Sequence, residues 1–174
     1  MLPSAQAKSR VTLEGRTAMN MMVTETFTRE QDFAGSIPAT RPGVVAIYSD
    51  KSETIAAMTP VCEFLDLKLE VVSAGTDLNN VLRTERPLAV ISDVDGVDHD
   101  GFHVMKMIAR YNPDLPLMLL TGGDPAMMGA ADAVQDLWGL TQVTQTSGFP
   151  LAGQLVNFLF TAGRRAGCMR LVPV

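Results

Sequence analysis

From Gly43 onward, short apolar runs bounded by turn residues alternate with stretches whose apolar positions recur at helical spacing, and few folds accommodate that alternation. The runs are VVAIYSD (44–50), LEVVSA (69–74), PLAVISD (87–93), LPLMLLTG (115–122) and a weaker LTQVTQ (140–145). They are near-continuously apolar rather than alternating, as strands covered on both faces of a parallel sheet are. Between them, Ile55, Met58, Cys62 and Leu65 mark one helical stripe, and Leu78, Val81 and Leu82 a second. Val104, Ile108 and Tyr111 mark a third. Met128, Ala131, Leu137 and Trp138 follow Pro125, and Leu151, Leu155, Phe158 and Leu159 form the last. Pro60 falls inside the first helix and predicts a kink unless its ring faces outward. The pattern is a five-fold βα repeat, which implies a parallel sheet wrapped by helices.

Residues 1–42 read differently. They are polar, rich in Thr and Met, and end in GSIPATRPG, which is linker chemistry. The expected organisation is an N-terminal arm over 1–42, one domain over 43–163 and a short tail over 164–174. A chain of 174 residues, 47% hydrophobic and 19% charged, has enough apolar material for one core. Its net charge of -5 argues against nucleic acid as a partner, because that binding depends on Lys and Arg neutralising phosphates. Cys62 and Cys168 are isolated, without metal-ligand spacing, and no apolar stretch approaches the roughly 20 residues that cross a bilayer. A cytoplasmic protein without membrane contact is expected.

In a parallel βα sheet, sites form beyond the carboxyl ends of the strands. Asp50, Asp93 and Thr121 end three of the runs, so the strand reading converges two acids and one alcohol on a common edge. Asp93 opens the richest segment of the chain, DVDGVDHDGF.

These residues resemble the receiver domain of two-component response regulators, over residues 44 to about 160. The resemblance is carried by YSD (48–50) at the place of the family's acidic pair, by Asp93 closing the third strand, by Asp100-Gly101-Phe102 opening the third helix at the family's spacing, and by Thr121 after LMLL. The segment LTGGDPAMMGAADAVQDLWGLTQV is further similar to receivers associated with cyclic-di-GMP phosphodiesterases. The resemblance implies a flavodoxin-like, doubly wound sheet of order 2-1-3-4-5. It implies Asp93 as phosphoacceptor and Thr121 as the hydroxyl that meets the phosphoryl group and switches with it. It also implies Mg²⁺ held by Asp50, Asp93 and the backbone carbonyl of Asp95, which suits a hard ion with oxygen ligands. The chain would not be an enzyme beyond taking and losing its own phosphoryl group.

The sequence departs from that pattern in three places. Ser49 replaces one member of the acidic pair, Gly148 stands where the family has its lysine, and Gln145 stands at the switch aromatic. Two unit charges about 4 Å apart at an effective dielectric near 20 interact by about 4 kcal/mol, so the missing lysine matters. Lys51, next to Asp50, is the candidate substitute cation.

Other readings compete. DxDG after an apolar strand also resembles the haloacid dehalogenase phosphatases, with Asp93 as nucleophile and Asp95 as general acid, but no lysine follows Lys106 to complete that site. A calcium loop starting at Asp93 fails, because Val97 and Val104 fall where oxygen ligands are needed. His99 and His103, four apart, have no further ligands beside them. Asp100 alone would be a helix cap. The reading is therefore an atypical, stand-alone receiver-like signalling protein. Its input would be a sensor histidine kinase or phosphotransfer protein. Its output would be contact with a downstream protein, or with a second copy, through Met127, Gln135, Trp138 and Gln142. The alternative is a degenerate receiver that binds partners without phosphorylation.

Overall fold

In a computed structural model of the chain, the structure describes residues 43–73, 76–95 and 100–168. The expected arm over 1–42, residues 169–174 of the tail and His99 lie outside the described residues. Five strands and five helices alternate within them: β1 (Gly43–Tyr48), α1 (Ser52–Phe64), β2 (Leu67–Val72), α2 (Leu78–Thr84), β3 (Ala89–Asp93), α3 (Gly101–Tyr111), β4 (Leu117–Leu120), α4 (Pro125–Trp138), β5 (Val143–Thr146) and α5 (Ala152–Arg165). The strands form one parallel sheet in the order β2-β1-β3-β4-β5, the flavodoxin-like arrangement expected.

The burial of the strands explains their composition. All five residues of β3 and all four of β4 are buried, because helices cover both sides of the sheet. One apolar cluster joins Leu82 of α2, Val104 and Ile108 of α3 and Ala131 of α4 to Ala46, Val90 and Leu119 of the sheet. On the opposite face, Met58 and Cys62 of α1 and Leu155 and Leu159 of α5 pack on Val45, Ile47, Ile91 and Met118. The edge strands β2 and β5 are less buried and more polar.

Three expectations about helices are refined. Pro60 is exposed and α1 runs unbroken around it, so its ring occupies the solvent side. Leu137 is 75% exposed, because Ala131, Val134 and Trp138 carry the inward stripe of α4 and Leu137 falls off it. Leu151, also 75% exposed, precedes α5 as its N-cap residue rather than joining its core face. Helix ends are closed locally: Asp77, Asp100 and Asp124 each accept a bond from the backbone N–H two residues on, at 2.9, 2.9 and 2.8 Å.

Candidate functional site at the carboxyl edge of the sheet

β1 ends at Tyr48, and the chain then climbs through Ser49, Asp50 and Lys51 into α1, which begins at Ser52. Asp93 is the last residue of β3, beside β1, and is 2% exposed. A carboxylate so far from water needs partners. It has two: the Ser49 hydroxyl donates to Oδ2, and the Lys51 ammonium donates to Oδ1 at 3.0 Å. The Lys51 backbone N–H bonds the Ser49 oxygen at 3.2 Å, so the turn that presents the ammonium also aligns the hydroxyl. Ser49 is itself buried.

Lys51 bears the electrostatic mark of this place. Its hydrogen bond to Asp93 holds the ammonium pKa above the ordinary 10.5; partial burial opposes this, and the charges of Asp93, Asp95 and Asp50 reinforce it. The ammonium is thus bonded to the Asp93 carboxylate and feels the charges of two others. The Asp50 and Asp95 side chains are exposed.

Beyond Asp93 the chain is held by its own backbone. Val94 N–H bonds the Leu120 carbonyl at 3.1 Å, and Asp95 forms an isolated bridge with Asp100. Gly101 N–H bonds the Val94 carbonyl at 3.0 Å. A Cβ on Gly101 would stand 2.7 Å from Val94 Cα and 3.0 Å from the Asp93 carbonyl oxygen, so glycine at this position is demanded by the close seating of α3 behind Asp93.

Thr121 follows β4, beside β3, and is 1% exposed. Its backbone N–H and its hydroxyl both donate to the Thr146 carbonyl of β5, at 2.8 and 3.0 Å. The hydroxyl thus ties β4 to β5. Gln145 donates from Nε2 to Asp132 Oδ1 of α4 at 2.5 Å, while its Oε1 is buried without a partner. Gly148 stands exposed, with nothing within 4 Å of the Cβ it lacks. Of the expected contact residues, Met127 and Trp138 are half-buried against the core, Gln135 is half-buried, and Gln142 accepts a bond from Arg165 Nη1 of α5.

Mg²⁺ requires near-octahedral oxygen coordination. Among the described residues no group of three or more His, Cys, Asp or Glu side chains is disposed to hold a metal, and both Asp93 oxygens are already engaged. As the side chains stand, the donor set does not fit the ion.

Sequence reasoning placed Asp93 and Thr121 at strand ends but took Ser49 only as a lost acid. Its bond to Asp93 and the Gln145–Asp132 bond are features that reasoning missed. The available signal was slight: a hydroxyl one residue before Asp50, at the end of a strand beside β3.

No protein-family model matches the sequence, and no curated protein matches it significantly. Solved structures do match. The N-terminal signal receiver domain of a response regulator from Bacteroides fragilis is 23% identical with a TM-score of 0.55, over 70% of this chain and 96% of that one. The apo receiver domain of nitrogen regulatory protein C is 20% identical with a TM-score of 0.58, over 72% and 97%. A signal receiver domain from Bermanella marisrubri is 17% identical with a TM-score of 0.54, over 70% and 98%. The described residues therefore have the fold of response-regulator receiver domains. No helix among the described residues is long and apolar enough to cross a membrane.

Proposed function

We propose that the protein is a receiver-like signalling module in which Asp93 accepts a phosphoryl group and the output is contact with another protein. The observation that carries this reading is a buried carboxylate at the end of β3, on a receiver fold, with a cation bonded to one oxygen. An Asp93 oxygen attacks the phosphorus of an acyl or histidine phosphate, a P–O bond to the protein forms, and the bond to the carboxylate or imidazole leaving group breaks. Negative charge on the transferring oxygens must be neutralised nearby. In this reading Lys51, bonded to Asp93 at 3.0 Å, does this in the absence of a lysine at Gly148. Thr121 would have to leave the Thr146 carbonyl to meet the phosphoryl group, loosening the tie between β4 and β5. That motion would reach the face formed by α4, β5 and α5, where Met127, Gln135, Trp138 and Gln142 are the proposed contacts. A histidine kinase or phosphotransfer protein is the corresponding donor. The pattern likeness to receivers of cyclic-di-GMP phosphodiesterases makes such a system the first place to seek the downstream partner.

A second reading, a phosphorylation-independent binding module, is favoured by one observation: Ser49 and Lys51 occupy both Asp93 oxygens while the Thr121 hydroxyl is engaged elsewhere. Incubation with acetyl phosphate, with and without Mg²⁺, followed by intact mass measurement separates the two. One phosphoryl group per chain, absent in Asp93→Asn and reduced in Lys51→Ala, supports the acceptor. No addition, together with no binding of beryllofluoride, establishes the second reading, and steady release of phosphate from small esters would instead point to a phosphohydrolase.

A further inference from the structure

The mismatch between the carboxylates and a divalent ion has a structural cause. We propose that the Lys51 ammonium occupies the cation seat of this site, so that a divalent metal binds only by displacing it. Three observations carry this. The ammonium lies 3.0 Å from Asp93 Oδ1, the oxygen left by the Ser49 bond to Oδ2. It arrives on the β1–α1 turn, adjoining Asp50, and so enters from the side of the acids rather than from the β5 side where Gly148 leaves open space. The Lys51 backbone N–H bonds the Ser49 oxygen at 3.2 Å, so the turn that carries the ammonium to Oδ1 is tied to the hydroxyl on Oδ2. A cation of either kind discharges the same buried carboxylate, and two cations on one oxygen repel each other. The Lys51 side chain is 43% exposed, which leaves it water to turn to when displaced.

The inference concerns metal occupancy and holds whether or not Asp93 accepts a phosphoryl group, so its test uses no phosphodonor. Mg²⁺ is titrated calorimetrically into the full chain at constant ionic strength, for wild type, Lys51→Met, Lys51→Arg and Lys51→Met with Asp93→Asn. Lys51→Met is expected to bind Mg²⁺ at least about tenfold more tightly than wild type. Lys51→Arg should resemble wild type, and the double variant should lose the gain. Equal or weaker affinity in Lys51→Met overturns the proposal, because a lysine that coexists with the metal would give that result; so does a gain that survives Asp93→Asn. Should Lys51→Met not fold, Lys51→Gln takes its place: tighter Mg²⁺ binding than wild type, lost on adding Asp93→Asn, supports the displacement, and equal or weaker binding overturns it.

Discussion

Asp93 is 2% exposed, and the two side chains that bond its carboxyl oxygens both come from the turn after β1. Hydrogen bonds to charged groups contribute about 1.5–3 kcal/mol, against about 0.5–1.5 for neutral pairs. Ser49→Ala is therefore expected to lower the urea-unfolding free energy by about 1.5–3 kcal/mol, since water cannot replace the hydroxyl at a buried oxygen. In an Asp93→Asn background the same substitution should cost only about 0.5–1.5 kcal/mol. Equal costs in the two backgrounds would show that the Ser49 bond does not serve the charge. Asp93 and Thr121 could be placed from the chain alone because each follows an apolar run that ends abruptly. The role of Ser49 could not, since its partner lies 44 residues away and the bond exists only once β1 and β3 are neighbours.

The seating of α3 belongs to a larger scale, because a single glycine decides how closely a helix approaches a strand end. Alanine at position 101, the first residue of α3, would gain less than the about 1 kcal/mol of helix propensity that an interior position offers. It would also drive a Cβ to 2.7 Å from the Val94 backbone, which has no flexible end to yield. Overpacking of this kind typically costs about 1–3 kcal/mol, so Gly101→Ala should be destabilised on balance, and α3 should be displaced away from Asp93. A chemical denaturation midpoint at or above that of wild type would contradict the close approach. Helices and strands were otherwise legible from periodicity, which reports which side of an element is covered. Periodicity failed at Leu137 and Leu151, where an apolar residue lies outside the covered stripe, and it marked β5 only weakly, as LTQVTQ (140–145), because the strand Val143–Thr146 is largely polar. The Gln145–Asp132 bond, joining β5 to α4, was invisible for the same reason as the Ser49 bond.

Two apolar layers, one on each face of the sheet, hold the domain together, and α1 with α5 makes up the helical side of one of them. Cys62 sits in that layer at 1% exposure, and burial pushes its thiol from 9.0 up to about 11. The unfolded chain has no such burial, so its thiol ionises first. Between the two values the unfolded state binds fewer protons than the native state, and stability falls as pH rises. Full ionisation would shift the balance by about 2–3 kcal/mol at 1.36 kcal/mol per unit. The raised pKa of Lys51 acts in the same direction, because its contribution is complete below the unfolded value and is lost as pH climbs through the folded one. Wild type alone would not separate the two. Cys62→Ala does: it begins less stable near neutrality by roughly 1–2 kcal/mol for the lost packing. It should then lose less than wild type on going to pH 11. Urea titrations of the two proteins across that range should therefore converge. Parallel curves would mean that the thiol is not protonated by burial, and that the layer beneath α1 admits water.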